Sequence, residues 1–350
     1  MSAWTDFLSA RGASFDGAAV TGFGEPAAEL STAREAAVLC DLGAVSALAV
    51  EGREAATFLQ GQLTNDVEAL ALGASQLSAW CSPKGRVLAN FLLHRLTDER
   101  FELLLPGSLA EPIRKRLSMF VLRSKVTIAD AGAASVRIGV GGPAARACLA
   151  EALGATPLLH RAMAIDGGAL IEVPGERFIA LVAPERAPSL WGRLARARAA
   201  GFPCWQWLTV RAGVAIITPP TQDQFVPQML NLDALGGISF RKGCYSGQEI
   251  VARMQYLGRL KERLALMHVD GGPPREGTRL FAAAFADQPC GTVVNAAAAP
   301  GGGADLLAVA QLEAIASESL RLGATDGPPA TLLPLPYALP AAAEPRGRLA

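Results

Sequence analysis

The chain has 350 residues, 51% hydrophobic and 18% charged, apolar enough for two or three domains with sizeable buried cores. Its 32 basic and 32 acidic side chains cancel, which excludes a global field selecting nucleic acid or an anionic membrane. The six cysteines lie far apart with no C-x-x-C pair, which argues against a disulfide framework or a preformed zinc site and suits reduced thiols in a cytosol.

The opening Met1-Ser2-Ala3-Trp4-Thr5-Asp6 lacks the basic-then-apolar layout of a secretory signal. No run reaches the roughly 18 uninterrupted apolar residues of a membrane helix. The expectation is a soluble cytoplasmic protein with no membrane partner and no direct nucleic-acid partner.

Residues 1–34 are small, polar and rich in Gly and Ala, and read as an N-terminal arm. Val45 to Val50 reads as a strand. Glu54 to Leu59 begins a short amphipathic helix leading into Gly61-Gln62-Leu63-Thr64-Asn65-Asp66, where Thr, Asn and Asp can each bond nearby backbone. Those polar residues could line a pocket, and a solvated turn explains them equally well.

A meander follows, with Leu77 to Cys81, Val87 to His94 and Phe101 to Leu105 as strands. Ser82-Pro83-Lys84-Gly85 suits a tight turn, and Lys84-Gly85-Arg86 is either a basic hairpin tip or a contact for an anionic ligand. Leu109, Ile113, Leu117 and Phe120 have helical spacing over Ser108 to Phe120, and Val126 to Ile128 resumes the sheet. The order of these elements, over 35–130, is ferredoxin-like.

A second α+β unit spans 131–257. Val136 to Val140 reads as a strand and Pro143 to Leu153 as a helix. Ala169 to Val173 and Arg177 to Val182 form a hairpin around Pro174-Gly175-Glu176, and Ala187 to Ala199 is a helix. Trp205 and Trp207 read as alternate positions on one strand face before Arg211, serving core packing or a stacking platform. Phe225-Val226-Pro227-Gln228 and Asn231-Leu232-Asp233 form an irregular loop of the kind that carries binding groups. Short strands then suggest a small antiparallel β-barrel over 258–337. Ala296 to Ala304 reads as a low-complexity loop, and 338–350 as a flexible tail.

Chemistry concentrates in Lys242-Gly243-Cys244-Tyr245-Ser246-Gly247-Gln248-Glu249. Ser246 and Glu249 have capping-box spacing, which starts a helix at Ser246 and leaves Cys244 just outside its partially positive end. With Lys242 and Arg241 close by, that setting favours a thiolate. A lone cysteine beside a tyrosine can equally be a small buried hydrophobe. A cysteine-hydrolase reading needs a histidine base, and His94, His160 and His268 stand in no motif. The residues alone lead to an α+β protein with a thiol-containing anion or ligand site.

The same eight residues closely resemble the signature K-G-C-[FY]-x-G-Q-E of the YgfZ family, folate-binding proteins of iron–sulfur cluster assembly or repair. Phe58 to Asp66, Ser82 to Arg86 and Phe225 to Asp233 resemble further motifs of that family, so the likeness covers about 40–320. The family is similar in fold to the aminomethyltransferase of the glycine cleavage system (GcvT). The resemblance therefore implies three subdomains in a clover-leaf around a central channel, with tetrahydrofolate in that channel and no stably bound metal.

It also implies Cys244 as the functional thiol, possible as a transient metal ligand, with Lys242, Gly243, Tyr245, Gly247, Gln248 and Glu249 shaping its surroundings. Folate contacts would come from Asn65, Asp66, Lys84, Arg86, Trp205, Arg211 and Gln228. The aminomethyltransferase carries an aspartate pair where this chain has Gly85-Arg86-Val87-Leu88-Ala89-Asn90. The implied role is an accessory to iron–sulfur enzymes or cluster carriers, such as radical enzymes that thiolate tRNA. A folate-dependent aminomethyl or one-carbon transferase is the alternative, and a scaffold with an inert Cys244 is a third.

Overall fold

In a computed structural model of the chain, structure is described for residues 2–256 and 260–340. The meander read from the sequence forms a five-stranded sheet in the order Ser75–Cys81, Val87–Arg95, Arg100–Pro106, Val45–Glu51, Thr127–Asp130. The helix Gly107–Ser118 covers it with Leu109, Ile113 and Leu117, which are buried at i, i+4 and i+8.

A second sheet has six strands in the order Ala162–Ile165, Gly168–Val173, Arg177–Val182, Val136–Gly141, Val38–Asp41, Arg198–Ala200. Only the last runs parallel to its neighbour, pairing Arg198 with Val38 and Ala200 with Cys40. The sheet thus takes a strand, Val38–Asp41, from ahead of all the strands of the first sheet. All four of its residues are buried, so it lacks the alternation that marks a half-exposed strand.

Residues 2–34 of the expected N-terminal arm are folded onto this sheet. Helix Ala3–Ser9, hairpin Ser14–Asp16/Ala19–Gly22 and helix Pro26–Glu35 precede Val38. Trp4 meets Trp191 edge-on at 5.5 Å, and its Nε1 donates to Asp41 Oδ1 at 2.8 Å. The buried Glu29 carboxylate accepts the backbone N–H groups of Phe23 at 2.7 Å and Gly201 at 2.8 Å. Composition hid this segment because its fold rests on a few anchors set among small residues.

The C-terminal strands curl into an antiparallel half-barrel around Met267, Val293 and Leu306. The expected loop over 296–304 is shorter than that, a turn at 299–303: strands Gly291–Ala298 and Ala304–Gln311 take in its two ends and pair across it, and Gly301, Gly302 and Gly303 all have positive φ. The expected boundary at 257–258 lies outside the described residues, as do 341–350 of the expected tail.

Trp205 and Trp207 lie on a helix, Phe202–Arg211, and not on a strand. Gly201 precedes it, Pro203 occupies its first turn, and Cys204, Trp207 and Leu208 recur at helical spacing. This helix touches all three parts. It packs on strand Gly291–Ala298 of the half-barrel and against Val38–Asp41, and it joins the same apolar core as the first sheet.

Candidate functional site

Cys244 is exposed, whereas Cys40, Cys81, Cys148, Cys204 and Cys290 are buried. Burial pushes the thiols of all five upward, those of Cys81 and Cys204 to about 12. Near neutral pH these five are unreactive small hydrophobes, and Cys244 is the thiol presented to solvent.

The motif around it is fixed from beneath. Lys242 is 9% exposed, and its Nζ donates to the carbonyls of Gln60, Leu63 and Asn65 at 2.5, 2.6 and 2.9 Å. Burial lowers its pKa from 10.5 to about 8, with Asp66 and Glu68 opposing. The charge expected to favour a Cys244 thiolate is thus committed to three carbonyls, and Lys242 acts as an anchor.

Thr64 adds a second tie. Its hydroxyl donates to Gly237 O at 2.8 Å and accepts Ala79 N–H at 2.9 Å, while Asn65 Nδ2 reaches Gly236 O and Leu77 O. The Gln62–Asp66 turn therefore braces the approach to the cysteine. Tyr245 is buried beneath it, which raises its phenol, with the Lys242 ammonium 5.2 Å from its ring.

The helix after the cysteine spans Gln248–Tyr256, two residues later than the capping-box spacing predicts. Gly247 has φ +80°, which removes it from the helical run and separates Ser246 from the N-cap position. A Cβ on Gly247 would lie 2.8 Å from Gly85 Cα, so the Ser82–Arg86 hairpin and the motif meet backbone to backbone. Gln248 Nε2 donates to Gly243 O at 3.4 Å, and Glu249 is exposed.

A cavity of about 520 Å³ opens between the two sheets, helix Phe202–Arg211 and the half-barrel. Its walls are mainly apolar, among them Val45, Leu92, Val173 and Ile179. Arg177 reaches it with its guanidinium 4.9 Å from the Trp205 ring. Nε of Arg177 donates to Pro174 O and Nη1 to Thr209 Oγ1; no carboxylate pairs with it among the described residues, and burial lowers its pKa to about 9. Glu276 lines the opposite, half-barrel side and accepts from Thr218 Oγ1 and Asn295 Nδ2.

Asn90 also borders this cavity, fully engaged. Its Nδ2 donates to Ala215 O at 2.7 Å and its Oδ1 accepts Ile217 N–H at 2.8 Å. Asn295 grips the residue between, accepting Ile216 N–H at 2.7 Å and donating to Ile216 O at 2.9 Å. Two asparagines thus act as strand partners on either side of residues 215–217.

Of the residues expected to contact folate, only Trp205 lines this cavity. Asn65 and Asp66 line a separate pocket of about 630 Å³ outside strand Ser75–Cys81. Lys84 is exposed on the hairpin, and Arg86 Nη1 donates to Gln224 O. Arg211 lies 3.6 Å from Asp305, and the buried Gln228 donates to Val251 O at 2.7 Å. Arg177, Glu276 and Asn295 were missed. Arg177 lies about 100 residues ahead of the other two in the chain, the three share no motif, and only the tertiary fold brings them together.

The family model for the GCVT N-terminal domain matches residues 11–177. The chain is similar to proteins named tRNA-modifying protein YgfZ from Shigella sonnei (strain Ss046) and Escherichia coli (strain K12). Each is 36% identical over 222 residues, covering 62% of this chain and 68% of the relative. Among solved structures, the glycine cleavage system aminomethyltransferase T from Bartonella henselae superposes with a TM-score of 0.74 at 18% identity, covering 95% of this chain and 96% of that one. At that identity the likeness shows the shared clover-leaf fold.

Proposed function

The chain belongs to the YgfZ family, and from that premise we propose that it is a folate-binding accessory protein of iron–sulfur cluster assembly or repair. Its clients are cluster enzymes such as those that thiolate tRNA, and its working group is Cys244. The observation that carries this reading is that, of six cysteines, the one inside the family motif is the one exposed.

The central cavity suits tetrahydrofolate. A pterin offers an aromatic face, a row of N–H donors and, on its tail, carboxylates; the cavity has the Trp205 ring, the Glu276 carboxylate and the Arg177 guanidinium. Arg177 and Glu276 therefore join Trp205 as the residues that would hold the ligand. Bound tetrahydrofolate would supply a reduced pterin able to take up a one-carbon unit.

On the surface, Cys244 loses its proton to water and donates a sulfur electron pair to iron carried by a partner. One cysteine cannot hold a cluster alone, so the partner provides the remaining ligands. Among the described residues no group of three or more His, Cys, Asp or Glu could hold a metal ion within this chain. A transferase reading has less support, because the amide of Asn90 is spent on backbone where an aspartate would act.

The test is a Cys244→Ala variant in a strain lacking the gene. It should fail to restore tRNA thiolation while the purified variant binds tetrahydrofolate with unchanged affinity, read from intrinsic tryptophan fluorescence. Full restoration would remove the thiol from the mechanism.

A further inference from the structure

The pocket outside strand Ser75–Cys81 takes no part in the function above. It has a volume of about 630 Å³ and walls from four separate segments: 65–71, 74–76, Leu159-His160-Arg161 and 236–241. The exposed Arg161 and Arg241 line it from different segments, and neither forms an ion pair among the described residues.

Three buried polar atoms of lining residues have no hydrogen-bond partner among the described residues: Ser75 Oγ, Gln76 Nε2 and His160 Nδ1. Ser75 is only 3% exposed, and each orphaned atom costs on the order of 1–3 kcal/mol. His160 is held at φ +60° while its N–H donates to Glu172 O at 3.0 Å and its carbonyl accepts from Ser75 N–H at 2.8 Å. A non-glycine residue in that region stores about 1–3 kcal/mol, held here by those two backbone hydrogen bonds.

We propose that this pocket binds a small peptide-like anion, one bearing both carboxylates and N–H groups. Arg161 and Arg241 are unpaired forks matched to carboxylate oxygens. Asp66 rejects a bare anion but accepts N–H groups: its Oδ1 is used by Gln60 and Ala69, whereas its Oδ2 makes no hydrogen bond among the described residues. Phe240 and the half-exposed Leu159 give the methylenes of such a ligand an apolar wall. The wall 236–241 runs directly into Lys242, so an occupant would also restrain the chain just before Cys244.

Calorimetric titration of the full-length protein with glutamyl-glutamate, inorganic phosphate and a short single-stranded RNA tests this at fixed salt. The dipeptide should bind saturably at one equivalent. Arg161→Gln and Arg241→Gln should each weaken it at least tenfold at unchanged melting temperature, while Arg53→Gln, elsewhere on the surface, leaves it unchanged. Hydrogen exchange at 236–241 should slow on binding in the wild type. Absence of saturable binding overturns the proposal. So does phosphate binding as tightly as the dipeptide with the same arginine dependence, which reduces the site to one for a bare anion. RNA binding that needs both arginines while the dipeptide fails would make it a nucleic-acid contact.

Discussion

Lys242 shows how one side chain can be legible in kind and misread in role. Its place beside Cys244 suggested that its charge acts on the thiol; the structure gives that charge to three carbonyls of residues 60–65. Sequence distance does not say where a long side chain points, and here it reaches back some 180 positions. Its titration has a definite sign. With a native pKa of about 8 and an ordinary value of 10.5, the unfolded chain holds a proton that the native chain has lost between those pH values. Stability contributed at this position therefore rises with pH across that window. Lys242→Met leaves three carbonyls without a donor, each worth on the order of 1 kcal/mol, and should destabilise the protein at pH 7. The free-energy gap between wild type and Lys242→Met, from urea unfolding, should be flat below pH 8 and widen toward pH 10.5. A gap that stays flat up to pH 10.5 and narrows only above it would mean the ammonium is the favoured native form throughout.

At the level of elements, the strands and helices with clean periodicity were readable: the meander, the helix bearing Leu109, Ile113 and Leu117, and the half-barrel. Strand Val38–Asp41 was not, because it is buried on both faces and its partners lie about 100 and 160 residues further along the chain. Asn90 illustrates the same limit within the site. The sequence shows an amide in a run without carboxylates, but not that both ends of this amide hold residues 215 and 217. An aspartate there could still accept Ile217 N–H, yet its second oxygen would face Ala215 O. Asn90→Asp should therefore lose on the order of 2 kcal/mol at pH 7 and regain much of it in acid, where a protonated carboxyl can donate to Ala215 O. Thermal melts at pH 7 and pH 4.5, each referenced to wild type, read this directly. Equal losses at both values would show that the clamp is not what Asn90 provides. The variant should also gain no aminomethyl transfer.

Across the molecule, helix Phe202–Arg211 explains why three sheets share one cavity. It carries Trp205 toward Arg177 of the second sheet, and Trp207 donates to Asp305 of the half-barrel at 2.8 Å. The half-barrel is tied again by Arg263, whose two forks meet Asp233 at 2.8 Å each. The cavity lining includes residues from all three sheets, so a ligand bound there touches every unit at once. Binding to the native state alone stabilises by about 2.7 kcal/mol at a ligand concentration 100 times Kd. Tetrahydrofolate should accordingly raise the melting temperature of the whole protein, with intrinsic tryptophan fluorescence and half-barrel hydrogen exchange shifting together. Ala296→Phe narrows the cavity from the half-barrel side alone, on strand Gly291–Ala298. It should abolish the tetrahydrofolate-induced shift and leave alkylation of Cys244 at its wild-type rate, because the thiol lies on the outer surface. If the half-barrel melts separately and tetrahydrofolate protects only the other two units, the ligand is held by those units alone, and Glu276 drops out of the folate site.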